Sequence, residues 1–121
     1  MTSKKTLVLG ASNNPNRYSF LAVNKLANNG HSVIPVGIKK GNIQDMEIQN
    51  GMPLVEEVDT VSLYLNPGNQ VQYYEYILSL KPKRIIFNPG TENESLAEMA
   101  EEKGIECLEA CTLVMLSTGQ Y

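Results

Sequence analysis

The fold is read from TLVLGASNNPNRYSFLAVNKLANNG, Thr6 to Gly30. Thr6-Leu7-Val8-Leu9 is β-branched or aliphatic throughout, as a strand buried on both faces would be. Gly10-Ala11-Ser12 then turns the chain with small residues. Apolar residues at Phe20, Leu21, Val23, Leu26 and Ala27 predict a helix from Tyr18, and Gly30 stops it. With a second strand over Ser32 to Val36, these pieces make a βαβ unit. In such a unit the first turn is where phosphate binds, because small residues let backbone N–H groups approach an anion near a helix N-terminus.

Everything after Gly30 extends this unit. Gln44 to Met52, apolar at Met46, Ile48 and Met52, reads as a short edge strand or hairpin, and Thr60 to Leu65 as a strand. Asn66 is the expected N-cap and Pro67 the first residue of a helix running to about Leu80. Its buried face would be Val71, Tyr74, Ile77 and Leu78. Arg84 to Asn88 is the next strand, left through Pro89-Gly90. Thr91 with Glu94 reads as a capping box for a helix over Glu92 to Lys103, and Ile105 to Glu109 as the last strand. Cys111 to Leu116 is apolar enough to pack as a short helix or an extended tail.

Strands alternating with helices predict a single α/β domain over residues 1–121. It is a three-layer, Rossmann-like fold with a mostly parallel five-stranded sheet in the order 3-2-1-4-5 and right-handed crossovers. Ligands of such sheets bind beyond the carboxyl ends of the strands, where the strand order reverses. Four loops should converge there: Gly10 to Arg17, Gly37 to Lys40, Asn66 to Gly68 and Asn88 to Thr91.

Composition narrows the function. The 121 residues are 42% hydrophobic and 19% charged, as in a soluble globular domain. A net charge of −3 without any basic run longer than two residues argues against a nucleic-acid surface. No stretch reaches the ~18 apolar residues of a membrane span. MTSKK leads directly into the first strand and leaves no room for a signal peptide, so a cytoplasmic protein is expected. Cys107 and Cys111 read as free thiols, with Cys111 the candidate for a redox or nucleophilic role. A metal would need further ligands, and the only histidine, His31, lies in a distant turn with a structural role expected. Tyr73 and Tyr76 are expected on the surface of their helix. No Ser-His-acid order and no paired carboxylates within one loop point to a catalyst.

The loops speak to the ligand. G-x-G-x-x-G, the dinucleotide fingerprint, is missing, since Gly10 is followed by Ser12 and Pro15. Arg17, at the head of the helix, can pair with a phosphate held by Ser12 and backbone amides. An NAD site wants a carboxylate after the second strand for the ribose hydroxyls, and here Val36-Gly37-Ile38-Lys39-Lys40 puts two cations in its place. That suits a ribose carrying a phosphate, as in coenzyme A or NADP.

Three blocks, GASNNPNRYSFLAVNKLANNGHSVIPVG, VDTVSLYLNP and KRIIFNPGTENESLAEMAEEKGIECLEACT, resemble the small CoA-binding-domain proteins. These are stand-alone relatives of the nucleotide-binding domain of the succinyl-CoA synthetase α subunit. The resemblance runs from about Thr6 to Leu116. It implies a Rossmann-like domain holding coenzyme A or an acyl-CoA. Phosphates would lie on Gly10, Ala11, Ser12, Asn13 and Arg17, and the adenosine end near Gly37 and Lys39 or Lys40. The Asn66-Pro67 turn and Asn88-Pro89-Gly90 would line the same groove. Many relatives read V-x-P where this chain has Val36-Gly37, and the synthetase's phosphohistidine domain is missing, so ligase activity is not implied. The alternative is a small NADP-using enzyme or redox protein working through Cys111. Leu113 to Leu116 would finish the core or meet a second copy in a homodimer.

Overall fold

A computed structural model of the chain describes residues 3–121. Its central sheet is parallel, with strands β1 (Thr6–Leu9), β2 (Val33–Val36), β5 (Thr60–Leu63), β6 (Arg84–Phe87) and β7 (Glu106–Glu109) in the order β2-β1-β5-β6-β7. The predicted fold class and five-stranded sheet are present. The position expected outside β2 is held by a hairpin, β3 (Asn42–Ile43) with β4 (Met46–Glu47), which reaches the sheet through one parallel bridge, Val36 to Gln49. The opposite edge is filled by β7, paired in register from Arg84–Glu106 to Phe87–Glu109. The hairpin stays apart because its apolar residues, Ile43 and Ile48, are drawn into the core beside Val23 and Leu26.

β1, β5 and β6 are buried along their whole lengths, and their side chains alternate between two cores. Leu7, Leu9, Val61, Leu63, Ile85 and Phe87 face the layer holding Ile77, Leu96 and Ala100. Val8 and Ile86 face the opposite layer, with Val23, Leu26 and Met115. The first layer contains the segment after β5 and helix α4 (Glu94–Glu102). The second contains helix α1 (Tyr18–Asn28) against helix α5 (Thr112–Ser117), so the tail forms a short helix that completes the core.

Two helices depart from the expected patterns. The segment after β5 begins as expected, with the Asn66 side chain accepting from the Asn69 N–H at 2.9 Å and Pro67 in the first turn. It then breaks into α2 (Pro67–Gln70), a 3-10 turn (Val71–Tyr73) and α3 (Tyr74–Ser79). The tighter turn shifts the buried face: Val71 is 59% exposed, while Gln70 and Tyr76 are buried. Tyr76, expected on the surface, donates its hydroxyl to the Pro53 carbonyl at 2.6 Å. α4 is capped by Asn93, which accepts from the Leu96 N–H at 3.2 Å, and the Thr91 hydroxyl instead donates to the Asn88 carbonyl at 2.7 Å.

His31 lies before β2, at the amino ends of the strands. Its Nδ1 accepts from the Lys4 N–H at 3.0 Å and its ring meets Tyr121 at 4.9 Å. Burial, then the charges of Lys4 and Arg84, lower its pKa, so it is a neutral structural residue far from the converging loops.

Candidate functional site

The strand order reverses between β1 and β5: the chain leaves β1 for β2 on one side and returns to β5 on the other. The loops after these strands must therefore part, and a groove opens between them. It has a volume of about 870 Å³ and is lined from the loops after β1, β2, β5 and β6.

The floor is built by backbone contact. Gly10 has φ +99°, a left-handed conformation that glycine adopts without strain. The N–H groups of Gly10 and Ala11 both donate to the Val36 carbonyl at 2.9 Å. This brings Gly37 so close that a Cβ there would sit 2.2 Å from the Ala11 oxygen. The polar run that follows folds on itself: Ser12 Oγ accepts from the Asn14 N–H at 3.1 Å and Asn14 Oδ1 from the Asn16 N–H at 3.0 Å. Arg17 is the extended residue before α1, and no side chain caps that helix. Its first two residues, Tyr18 and Ser19, line the groove.

Of the residues singled out in the sequence, Gly10, Ala11, Ser12, Asn13, Arg17, Gly37, Lys39, Asn66, Pro89 and Gly90 line the groove. Lys40, Pro67 and Asn88 stand outside its lining. Lys40 is exposed, and Pro67 opens α2. Asn88 is buried beneath its loop, donating to Ser62 Oγ at 2.9 Å and the Leu63 carbonyl at 2.8 Å and accepting from the Thr112 N–H at 2.8 Å. It braces the loop from behind. Among the lining residues Arg17 and Lys39 are the only charged ones, and no carboxylate joins them.

Ile38 and Thr91 lie in the loops expected to converge but were not singled out, and sequence reasoning missed Tyr18, Asn69, Gln72 and Tyr73; all six are part of the lining. Ile38 and Tyr18 leave apolar surface at the rim, being 83% and 73% exposed. Asn69, Gln72 and Tyr73 follow the Asn66 cap at helical i, i+3 and i+4 spacing, a signal that placed them on one face. Asn50 was missed as well: its amide donates to the Gly37 carbonyl at 2.8 Å and the Lys39 carbonyl at 3.3 Å, holding the second loop. Cys111 precedes α5 and is not part of the lining. The Tyr64 hydroxyl is buried with no protein partner among the described residues, and burial, followed by nearby Cys111, raises its pKa.

The pattern of the CoA binding domain family matches residues 4–117. A crystal structure of an uncharacterized protein is 57% identical, with a TM-score of 0.97 and 100% of both chains covered. A Thermus thermophilus protein of 22% identity has a TM-score of 0.85, covering 98% of this chain and 91% of the other, a likeness of fold. A conserved hypothetical protein from Pyrococcus furiosus is 27% identical, with a TM-score of 0.79 over 93% and 98% of the two chains. No curated protein matches the chain.

Proposed function

The chain belongs to the CoA binding domain family, and from that premise we propose that its groove holds coenzyme A. The observation that carries the reading is the groove's charge. In a chain of net charge −3, the groove where the strand order reverses is lined by two cations and no carboxylate. Such a lining attracts a polyphosphate and lacks the carboxylate that the free ribose hydroxyls of NAD call for. The diphosphate lies on the amides of Ser12 and Asn13 ahead of α1, with Arg17 closing on it. The phosphate-bearing ribose faces Lys39, beside Ile38, whose exposed side chain supports the adenine. The rest of the ligand crosses to Asn66, Pro89 and Gly90.

The protein on this reading is a binding module for coenzyme A or an acyl-CoA, and none of its residues is given a catalytic role. The two cations suit the ribose phosphate of NADP as well, but a redox role through Cys111 has no support in the groove, because Cys111 lies outside its lining. Two free thiols suit a reducing, cytoplasmic compartment. No described helix is long and apolar enough to cross a membrane. A homodimer would pack through the exposed Leu21 of α1 and Val114 of α5, and light scattering measures whether it forms.

Thermal unfolding with ligand tests the reading. At a concentration one hundred times Kd, binding adds about 2.7 kcal/mol. For a domain of this length that raises Tm by roughly 10 °C. Coenzyme A should give the shift and NAD should not. A shift with NADP and none with coenzyme A would sink the proposal.

A further inference from the structure

We propose that Gln70 is a positioning residue that sets the distance between two walls of the groove, and that these walls flank the pantetheine arm of coenzyme A. The assignment of the arm rests on the function proposed above; the role of Gln70 in joining the walls rests on geometry alone.

Gln70 is polar yet wholly buried. Its Nε2 donates to two carbonyls from different loops, Leu65 after β5 and Thr91 after β6, each at 2.8 Å. Its Oε1 accepts from Asn93 Nδ2 at 2.9 Å. Asn93 Nδ2 also donates to the Tyr74 hydroxyl at 2.8 Å, while its Oδ1 caps α4. Both ends of the Gln70 amide are thus committed, which holds it in one orientation. A leucine could fill this space, but it could not hold two carbonyls to a single nitrogen. Leu65 and Thr91 both line the groove, so the side chain acts as a strut behind its two walls.

The course of the ligand follows from where its charges must go. With the diphosphate at the head of α1 and the ribose phosphate at Lys39, a linear molecule has one direction left, across the ends of β5 and β6. That path runs between Leu65 and Thr91, past the exposed amides of Asn69 and Gln72. The pantetheine arm carries two amides of its own, which those side chains can meet. Walls fixed before binding spare the complex the cost of ordering two loops.

The test compares coenzyme A with adenosine 3′-phosphate 5′-diphosphate, a nucleotide that keeps all three phosphates and lacks the arm. Titration calorimetry is run on the full chain as wild type, Gln70→Met and Asn93→Ser. Gln70→Met should raise Kd for coenzyme A about tenfold, as when one molecule in ten has its loops in place. Its affinity for the arm-free nucleotide should not change. Asn93→Ser keeps a hydroxyl to cap α4 but releases Gln70 Oε1, so it should show the same selectivity at smaller size. It decides the matter if Gln70→Met does not fold. Variants that weaken both ligands equally, or neither, overturn the role of Gln70 while coenzyme A binding by the wild type stands. A wild type that binds the arm-free nucleotide as tightly as coenzyme A removes the arm from this path. A wild type that binds neither ligand overturns the proposed function itself, and the arm with it.

Discussion

Replacing Gly37 by alanine tests whether the groove floor depends on the closest approach in the fold. The added Cβ would stand 2.2 Å from the Ala11 carbonyl oxygen, where ordinary contact begins at 3.4 Å, so the two segments must separate by about 1.2 Å. The neighbour is backbone and cannot swing aside as a side chain would. Ala11 is itself held by its N–H bond to the Val36 carbonyl, the residue before Gly37. Overpacking of this kind costs about 1–3 kcal/mol, and breaking that hydrogen bond roughly another 1 kcal/mol. The expected destabilisation is therefore about 2–4 kcal/mol, or a fall in Tm of roughly 8–16 °C. Displacing Ala11 also moves the Ser12 and Asn13 amides that follow it, which should weaken coenzyme A binding. Gly68→Ala is the control: its nearest neighbour would be Asn66 Oδ1 at 3.5 Å, in a helical turn, and it should gain about 0.5 kcal/mol. Paired urea and thermal melts measure both. A Gly37→Ala variant within 0.5 kcal/mol of wild type, with normal affinity, would refute the reasoning.

Four further outcomes are expected. Arg17→Ala should raise Kd for coenzyme A about tenfold, or ~1.4 kcal/mol, in calorimetry, and unchanged affinity moves the phosphates elsewhere. Coenzyme A should bind more tightly than dephospho-CoA by about 0.2–1 kcal/mol. Lys39→Ala should erase that margin and Lys40→Ala preserve it, since only Lys39 lines the groove; equal loss in both variants points to general attraction. Asn88→Asp sets a carboxylate against the Leu63 carbonyl that the amide now serves and should cost about 3 kcal/mol. Burial raises the new carboxyl's pKa, so its protonation should ease the loss as pH falls, and a pH-independent loss counts against this account. Burial, then Glu101 and Glu106, raise the Cys107 thiol from 9.0 to about 11. It should hold about a hundredfold less thiolate at pH 8 than an ordinary cysteine and label correspondingly slowly. With a folded pKa above the unfolded one, its contribution to stability is complete below pH 9 and fades as pH rises toward 11. Labelling of Cys107 at the rate of a small thiol contradicts its burial.

The sequence by itself determined the frame. Strands buried on both faces lack the apolar-polar alternation of a half-exposed strand, so Thr6 to Leu9 and Ile85 to Phe87 stood out as short, mostly aliphatic runs. The glycine turn, the Asn66 cap and the basic loop after β2 were legible because each rests on neighbours in the chain. Tertiary structure decided what depends on groups far apart in the chain. One 3-10 turn rotated the helix after β5, burying Tyr76 and exposing Val71, because the i+3 and i+4 pattern presumes an unbroken 3.6-residue period. Whether an asparagine faces the ligand or braces its loop was equally hidden. Asn88 turned inward because Ser62, a hydroxyl in a buried strand, and the Thr112 N–H, 24 residues away, needed partners. Nothing in the run Asn66 to Gln70 marks Gln70 out, and only the meeting of two loops around it makes it a strut. Local propensity is written along the chain, whereas the satisfaction of buried polar groups is settled only when distant segments meet.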